Sequence, residues 1–430
     1  MKEFGIGLLG FGTVGTGVVE GLRRNGDLIA SRLGVRPVLR SIGTRNPTRD
    51  RGVPVAPAKI SANLESVVDD PSVDIVVELM GGKDAALTMT RRALARGKPV
   101  VTANKALLAE HGAELFRLAA EHNTDIYFGA SVGGGIPIIR VLREGLVANR
   151  ILSIHGILNG TCNYILTRME QEHLPFDAVL REAQDNGYAE ADPAFDIDGI
   201  DTAHKAVILA WLAYGVHIPL NQVLVEGIRN LSAADIRYGA DLGYRVKLLA
   251  VVKRHDDGAV EVRVHPAMVP RDHMLASVHG VFNAIMVQGD LSGRGVFYGR
   301  GAGREPTAST VIGDIGDVMK NLLGGSARRF RATPGAESVP LLDRGQARTR
   351  HYLRLALRDR PGTLARITAA LGNHGISIAS VLQQEQGTGD HVPVVIVTHE
   401  CRERECQAAL QEIAGLDVAG SEPVRIRIEE

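Results

Sequence analysis

The sequence predicts an α/β chain of three units: a parallel-sheet domain, a mixed α+β unit, and a C-terminal βαββαβ unit of ferredoxin-like order. Three observations carry this. Apolar strand-like runs alternate with helical periodicity from Phe4 to Phe128. Beyond residue 137 that alternation gives way to a helix-rich stretch and then to long strand-like runs. A tract rich in Gly, Ser, Pro and Arg, 324–349, then reads as a linker before the last unit. A length of 430 residues allows two or three domains at roughly 100–200 residues each.

Taken in order, Phe4–Leu9 is a short apolar run, a glycine cluster follows, and Val14–Leu22 has helical spacing: strand, turn, helix. Val35–Ile42 is a second strand, Asn63–Asp69 a helix, and Val73–Leu79 a strand buried on both faces. Ala85–Arg96, Lys98–Thr102, Ala113–His122 and Asp125–Phe128 continue as helix, strand, helix, strand. The second unit takes a helix at Ile138–Glu144, a strand at Ile151–Ile157, helices from Asn163 to Tyr214, and strands at Leu248–Lys253, Ala259–His265 and Phe282–Gln288. Pro306–Leu323 is helical and is expected to pack back on the first unit. The last unit reads His351–Leu357 strand, Thr363–His374 helix, Ile376–Gln384 and Val392–His399 strands, Arg404–Ala414 helix, Val424–Ile428 strand. The expected division is therefore 1–136 (completed by 305–323), 137–304, a linker 324–349, and 350–430.

Charge excludes some functions. Lys+Arg and Asp+Glu both number 49, so there is no electrostatic footprint for nucleic acid or an anionic membrane surface. No run reaches the ~18 apolar residues of a membrane span, and Met1–Phe4 leads into a strand rather than a signal-peptide core. Cys162, Cys401 and Cys406 form no CxxC and read as packing residues. A cytoplasmic protein with reduced thiols is expected. The histidines His155, His173, His204 and His217 are scattered, with no HxxxH, HxH or Cys/His ligand spacing.

Gly10-Phe11-Gly12-Thr13-Val14-Gly15 is GxGxxG between a strand and a helix. Such glycines allow the tight turn, the approach of a pyrophosphate and close strand–helix packing, while the helix N-terminus offers N–H groups to phosphate. This makes the first unit a Rossmann-type dinucleotide-binding domain. An NAD site usually ends its second strand in Asp or Glu. Here Gly43-Thr44-Arg45-Asn46 follows, with Arg49 beyond, so NADP(H) is favoured and NAD(H) is the alternative. Lys105, after strand-like Val100–Thr102, stands at the carboxyl end of the sheet, where ligands of open α/β sheets bind. Between 187 and 205, the carboxylates Glu190, Asp192, Asp196, Asp198 and Asp201 precede a strongly apolar helix. Asp201 and Lys205, four apart, share a face. The stretch reads either as an acidic loop with a surface ion pair or as buried charge awaiting a ligand. Its spacing does not fit a calcium loop.

These residues resemble homoserine dehydrogenase along nearly the whole chain. The match runs through Gly10–Gly15, Val77–Gly82, Thr102–Ala109, Ser131–Pro137, Gly156–Leu166, 187–205 and Tyr298–Gly303. Asp359–Leu364 and Asn373–Ile378 resemble an ACT domain. With no kinase segment ahead of the dinucleotide fold, a monofunctional form is implied.

The resemblance implies NAD(P)-dependent interconversion of L-homoserine and L-aspartate 4-semialdehyde, on the route to threonine and methionine. It implies that Lys205 is the general acid and that Lys105 holds substrate and cofactor. Glu190 would bind the substrate ammonium and Asp201 would bind substrate or orient a water, with Asp196 in support. Asn159, Gly160 and Thr161, together with Gly301–Gly303, would close over substrate and nicotinamide. Where the family carries a glutamate before Ala-Ser-Val-Gly, this chain has Gly129. Only the carbonyls of Val132, Gly134 and Ile136 are then expected at the family's monovalent-cation site, for Na⁺ or K⁺, which predicts weak binding. The ACT resemblance implies control by L-threonine and a homodimer or homotetramer. Rival readings are another ACT-bearing dehydrogenase, disfavoured by Asn159–Thr161 and Glu190–Lys205, and a non-catalytic amino-acid sensor, disfavoured by the intact Lys105, Asp201 and Lys205.

Overall fold

The computed structural model describes residues 1–326, 339–383 and 390–430. Two compact units emerge: Met1–Gly160 with Ala203–Val223 and Phe282–Ser338, and Thr161–Thr202 with Leu224–Val281 and Val339–Glu430.

The first unit begins with β1 (Lys2–Leu9), α1 (Thr13–Leu33), β2 (Val35–Gly43), β3 (Lys59–Ser61), α2 (Leu64–Asp69), β4 (Ile75–Glu78), α3 (Asp84–Ala95), β5 (Val100–Thr102), α4 (Lys105–Glu121) and β6 (Ile126–Tyr127). The six strands are parallel in the order β3-β2-β1-β4-β5-β6. This is the doubly wound order of dinucleotide-binding folds, with the crevice between β1 and β4 where the winding reverses. The helix Arg304–Leu323 returns to this sheet: its Val311, Ile315 and Met319 share one core with Ile6 and Leu8 of β1 and Val18 of α1. Each such side chain stabilises the fold by about 1.5–3 kcal/mol. The same unit also holds three antiparallel strands, in which Phe282–Gly289 pairs with Ile151–Ile157 on one side and Gly293–Arg300 on the other.

In the second unit Tyr244–Arg254 and Val260–Pro270 form a long antiparallel pair. The sheet continues through Val424–Ile428, Arg348–Arg358, His391–Thr398 and Ile378–Gln383. The last four have the 4-1-3-2 order of a βαββαβ ferredoxin-like unit, with helices Thr363–Asn373 and Glu403–Ala414. Part of the expected linker, 327–338, lies outside the described residues. From residue 340 onward the linker reading gives way: the Val260 N–H donates to the Pro340 carbonyl and Leu342 N–H to the Val260 carbonyl, both at 2.9 Å. The ferredoxin-like unit is also fastened by charge. Arg427 is buried between Glu226 (2.7 and 2.8 Å) and Glu403 (2.6 and 3.0 Å), so two carboxylates satisfy a guanidinium that would otherwise be costly to bury.

Candidate active site

Between β1 and α1 the three glycines do different work. Gly10 has φ +96°, and a Cβ there would stand 2.5 Å from the Leu79 carbonyl oxygen; a Cβ on Gly15 would stand 2.2 Å from the Gly10 carbonyl oxygen. Both contacts are to backbone, so the fold itself requires these glycines. Gly12 is the N-cap of α1, and beyond its chain neighbours nothing lies within 4 Å of where its Cβ would be. The space is open in front of the first turn, where the N–H groups of Thr13 and Val14 are available to an anion. This cradle opens into a cavity of about 360 Å³. Gly10, Phe11 and Gly12 face Gly43–Asn46 and Arg49 across it, and Leu79–Gly81 form another wall. The residues fit a dinucleotide.

Arg45 and Arg49 line this cavity, as the cofactor reading expected, and Arg51 joins them. Arg51 donates from Nε to the Phe11 carbonyl (2.8 Å) and from Nη2 to Thr44 Oγ1 (3.1 Å), and its guanidinium sits 4.9 Å from the Phe11 ring centre. It thus locks the loop after β2 onto the glycine turn. Sequence reasoning missed it; the available signal was a third arginine at short spacing after Arg45 and Arg49.

The carboxyl ends of β4 and β5 are tied by Glu78. Its buried carboxyl accepts the Met80 N–H and the Thr102 hydroxyl, each at 2.7 Å, and burial pushes its pKa up to about 7. Thr102 Oγ1 in turn accepts the Asn104 N–H (3.0 Å), and Asn104 caps α4 by accepting the Leu107 N–H (3.1 Å). Lys105 is thereby fixed as the first residue of α4, half-buried at the carboxyl end of the sheet.

Lys205 lies in the helix Ile200–Tyr214 and is only 8% exposed. Its Nζ donates to the Leu158 carbonyl at 2.6 Å. That carbonyl immediately precedes buried Asn159 and the start of the helix Gly160–Glu172. Gly303 caps the helix Arg304–Leu323, and the loop before it meets the 133–136 turn: Gly135 N–H donates to the Arg300 carbonyl at 3.0 Å.

The expected cation donors are partly engaged. The Gly134 carbonyl accepts the Thr310 hydroxyl (2.7 Å) and the Ile136 carbonyl accepts the Ile138 N–H (2.8 Å), while Val132 is buried. At Gly129 the space for a side chain belongs to Asp314: a Cβ there would stand 2.9 Å from Asp314 Oδ1, and Gly129 N–H donates to Oδ2 at 2.8 Å. Burial pushes the Asp314 carboxyl up to about 7. The carboxyl is therefore present, but from another helix. The unfolded chain releases this proton near the ordinary aspartate value of 3.8, so the native state holds one proton more between roughly pH 4 and 7. Stability falls as pH rises through that window and stays low above it. Asp314→Asn keeps an acceptor for Gly129 and removes the penalty. It is expected to gain roughly 2–4 kcal/mol at pH 8 and to flatten the pH dependence from 4 to 7, as read by denaturant unfolding across pH. Equal wild-type and variant profiles would contradict this.

In the second unit the five carboxylates divide. Asp198 forms a two-pronged ion pair with Arg229 (both contacts 3.0 Å), and Asp192 accepts the Ala194 N–H (3.1 Å); both have structural work. Asp201 is buried in the first turn of the helix Ile200–Tyr214. Asp196 is half-buried in the short helix Ala194–Ile197, and its carbonyl accepts the Cys162 thiol at 3.2 Å. Glu190 is exposed, with its carbonyl held by Gln184 Nε2 at 3.0 Å. Thr161 Oγ1 donates to the Tyr188 carbonyl at 2.7 Å and so fixes the start of this loop.

Comparison with known proteins agrees along the whole chain. The family described as "Homoserine dehydrogenase, NAD binding domain" matches residues 10–129, "Homoserine dehydrogenase" matches 137–315, and "ACT domain" matches 351–417. The homoserine dehydrogenase of Pseudomonas aeruginosa is 43% identical over 437 residues, covering 100% of both chains, and that of Bacillus subtilis is 38% identical, covering 100% of this chain and 99% of that protein. Among solved structures, a homoserine dehydrogenase from Thiobacillus denitrificans superposes with a TM-score of 0.95 at 43% identity, covering 100% of this chain and 99% of that one. A hyperthermophilic archaeal homoserine dehydrogenase in complex with NADPH matches at a TM-score of 0.63 and 31% identity, over 75% of this chain and 98% of that one.

Proposed function

The chain belongs to the homoserine dehydrogenase family, and from that premise we propose how its residues divide the work. It is an NAD(P)-dependent oxidoreductase acting on a CH–OH group, converting L-homoserine and L-aspartate 4-semialdehyde into one another. When bound, the nicotinamide cofactor supplies or accepts the hydride. Gly10–Gly15 and the α1 N-terminus hold its pyrophosphate. Lys105 contacts both cofactor and substrate.

Lys205 is the general acid. Its buried Nζ on the Leu158 carbonyl, at 2.6 Å, is the observation that carries this assignment. Negative charge develops on the substrate oxygen as the aldehyde carbon is reduced, and an ammonium held at the Leu158 carbonyl stabilises that charge and donates a proton to it. Glu190 binds the substrate ammonium, Asp201 binds substrate or orients a water, and Asp196 supports them. Asn159, Gly160, Thr161 and Gly303 cover the reacting groups. A monovalent cation has no part in this assignment: the donor set departs from the family's at Gly129, and two of the three carbonyls already accept hydrogen bonds.

NADP(H) is the preferred cofactor in this reading, supported by Arg45, Arg49 and Arg51 around one cavity. Arg45→Ala is expected to raise KM for NADP⁺ about tenfold, one charge-assisted hydrogen bond, while changing KM for NAD⁺ little. Equal effects on both would remove Arg45 from 2′-phosphate recognition. The matched ranges 10–129, 137–315 and 351–417 support the functional division 1–136 with 305–323, 137–304 and 350–430. The last of these carries control by L-threonine in a homodimer or homotetramer. We place the enzyme in the cytoplasm, consistent with no disulfide among the described cysteines and no described helix long and apolar enough to cross a membrane. The deciding experiment follows reduced-nicotinamide absorbance with L-homoserine, using NADP⁺ and NAD⁺, with and without L-threonine. Turnover, faster with NADP⁺ and reduced by threonine, is expected; cofactor binding without turnover would refute the catalytic reading.

A further inference from the structure

The ferredoxin-like unit contains a cluster that the catalytic reading does not use. His351 on the strand Arg348–Arg358, Cys401 on the short strand Cys401–Arg402, and Cys406 on the helix Glu403–Ala414 are all buried. One donor atom from each lies within 4.8 Å of the other two. Sequence spacing could not show this, because the histidine is far from the cysteines along the chain and the three meet only when strand, strand and helix pack.

We propose that His351, Cys401 and Cys406 form a binding site for one thiophilic divalent cation of the zinc class. Two thiolates and an imidazole are the donor chemistry such ions select. The imidazole is oriented for it: Nε2 is 3.3 Å from Thr349 Oγ1, while buried Nδ1 has no hydrogen-bond partner among the described residues. With Nε2–H donating to the threonine, the Nδ1 lone pair is left for a metal, the usual outer-shell arrangement of a ligating histidine. Charge balances as well. A divalent ion replacing the two thiol protons leaves the buried cluster's net charge unchanged, so burial does not oppose binding. Glu403, the nearby acid, is committed to Arg425 (2.5 Å) and Arg427 (2.6 Å), which leaves the two sulfurs and the ring nitrogen as the donor set. A small fourth ligand completes a tetrahedron. Bound there, the ion ties two strands to a helix.

The test uses the full chain, reduced and stripped with chelator, titrated with Co²⁺ and then Zn²⁺. Expected are one equivalent bound, thiolate-to-cobalt charge-transfer absorption with the d–d bands of a four-coordinate site, and loss of both when Zn²⁺ displaces Co²⁺. Cys406→Ser and His351→Asn should each weaken Co²⁺ binding by at least about 100-fold. Absence of a thiolate charge-transfer band in the wild-type protein would overturn the proposal, whether or not the variants fold. So would a Cys401–Cys406 disulfide found by mass in protein isolated without oxidant, or bands that persist in the folded Cys401→Ser/Cys406→Ser variant.

Discussion

Lys205→Ala is expected to lower kcat by roughly 10²–10⁴-fold, the usual worth of a positioned general acid, while leaving the cofactor dissociation constant nearly unchanged. The side chain is buried, and its Nζ meets the Leu158 carbonyl rather than the glycine turn that receives the pyrophosphate. In the proposed assignment its removal strips charge from the reacting oxygen's surroundings, not from the cofactor's phosphates. A contribution made only in the transition state lowers kcat and kcat/KM together, and this pattern separates the proposal from a role in substrate binding. Truncation also orphans a buried carbonyl and leaves a void. Lys205→Met, which keeps the volume, should show the same kinetic loss with a smaller loss of Tm. Lys205→Arg should not restore the rate, because a guanidinium does not release a proton near neutral pH. Steady-state kinetics with fluorescence titration of NADPH reads both quantities. Near-normal kcat in Lys205→Met would take Lys205 out of the chemistry.

The parts of this molecule legible in its sequence are those set by local rules. Gly10–Gly15 was legible because tight turn, close packing and open approach are all written within six residues. The helix Ala233–Asp241 was missed, although Ser232 accepting the Asp235 N–H is a capping pattern the sequence displays. The strand Lys59–Ser61 was beyond reach because three residues carry no periodicity. What depends on a distant return of the chain was hidden. Gly129 reads as the loss of a carboxylate, yet Asp314, 185 positions away, donates one into the same space. Asp198 stood among five equivalent-looking carboxylates until Arg229 claimed it. Lys105 stood out by its place at the carboxyl end of the sheet and Lys205 by its spacing from Asp201; resemblance to a family supplied their roles. Burial of Lys205 and its contact with Leu158 then add a physical reason for the role proposed for it that the resemblance alone did not contain.

The glycine turn offers a second large effect, because its glycines fail in different ways. A Cβ at Gly12 would meet nothing within 4 Å beyond its chain neighbours and sits on backbone with φ −87°, so Gly12→Val is expected to fold with a Tm close to wild type. The added methyls occupy the space in front of the α1 N-terminus that the pyrophosphate needs. Affinity for NADPH should fall by at least roughly 100-fold, equivalent to ~2.7 kcal/mol. Gly15→Ala is the opposite case. Its Cβ would stand 2.2 Å from the Gly10 carbonyl oxygen, and backbone in the sheet's central turn cannot swing aside as a flexible side chain could. The helix must shift from β1, at a cost of about 1–3 kcal/mol of overpacking. Calorimetry and NADPH titration on the two variants therefore form a cross: one loses ligand and keeps stability, the other loses stability first. Comparable losses of Tm in both would mean that Gly12 is a folding requirement like its neighbours, and that the open space before α1 is not where the phosphates bind.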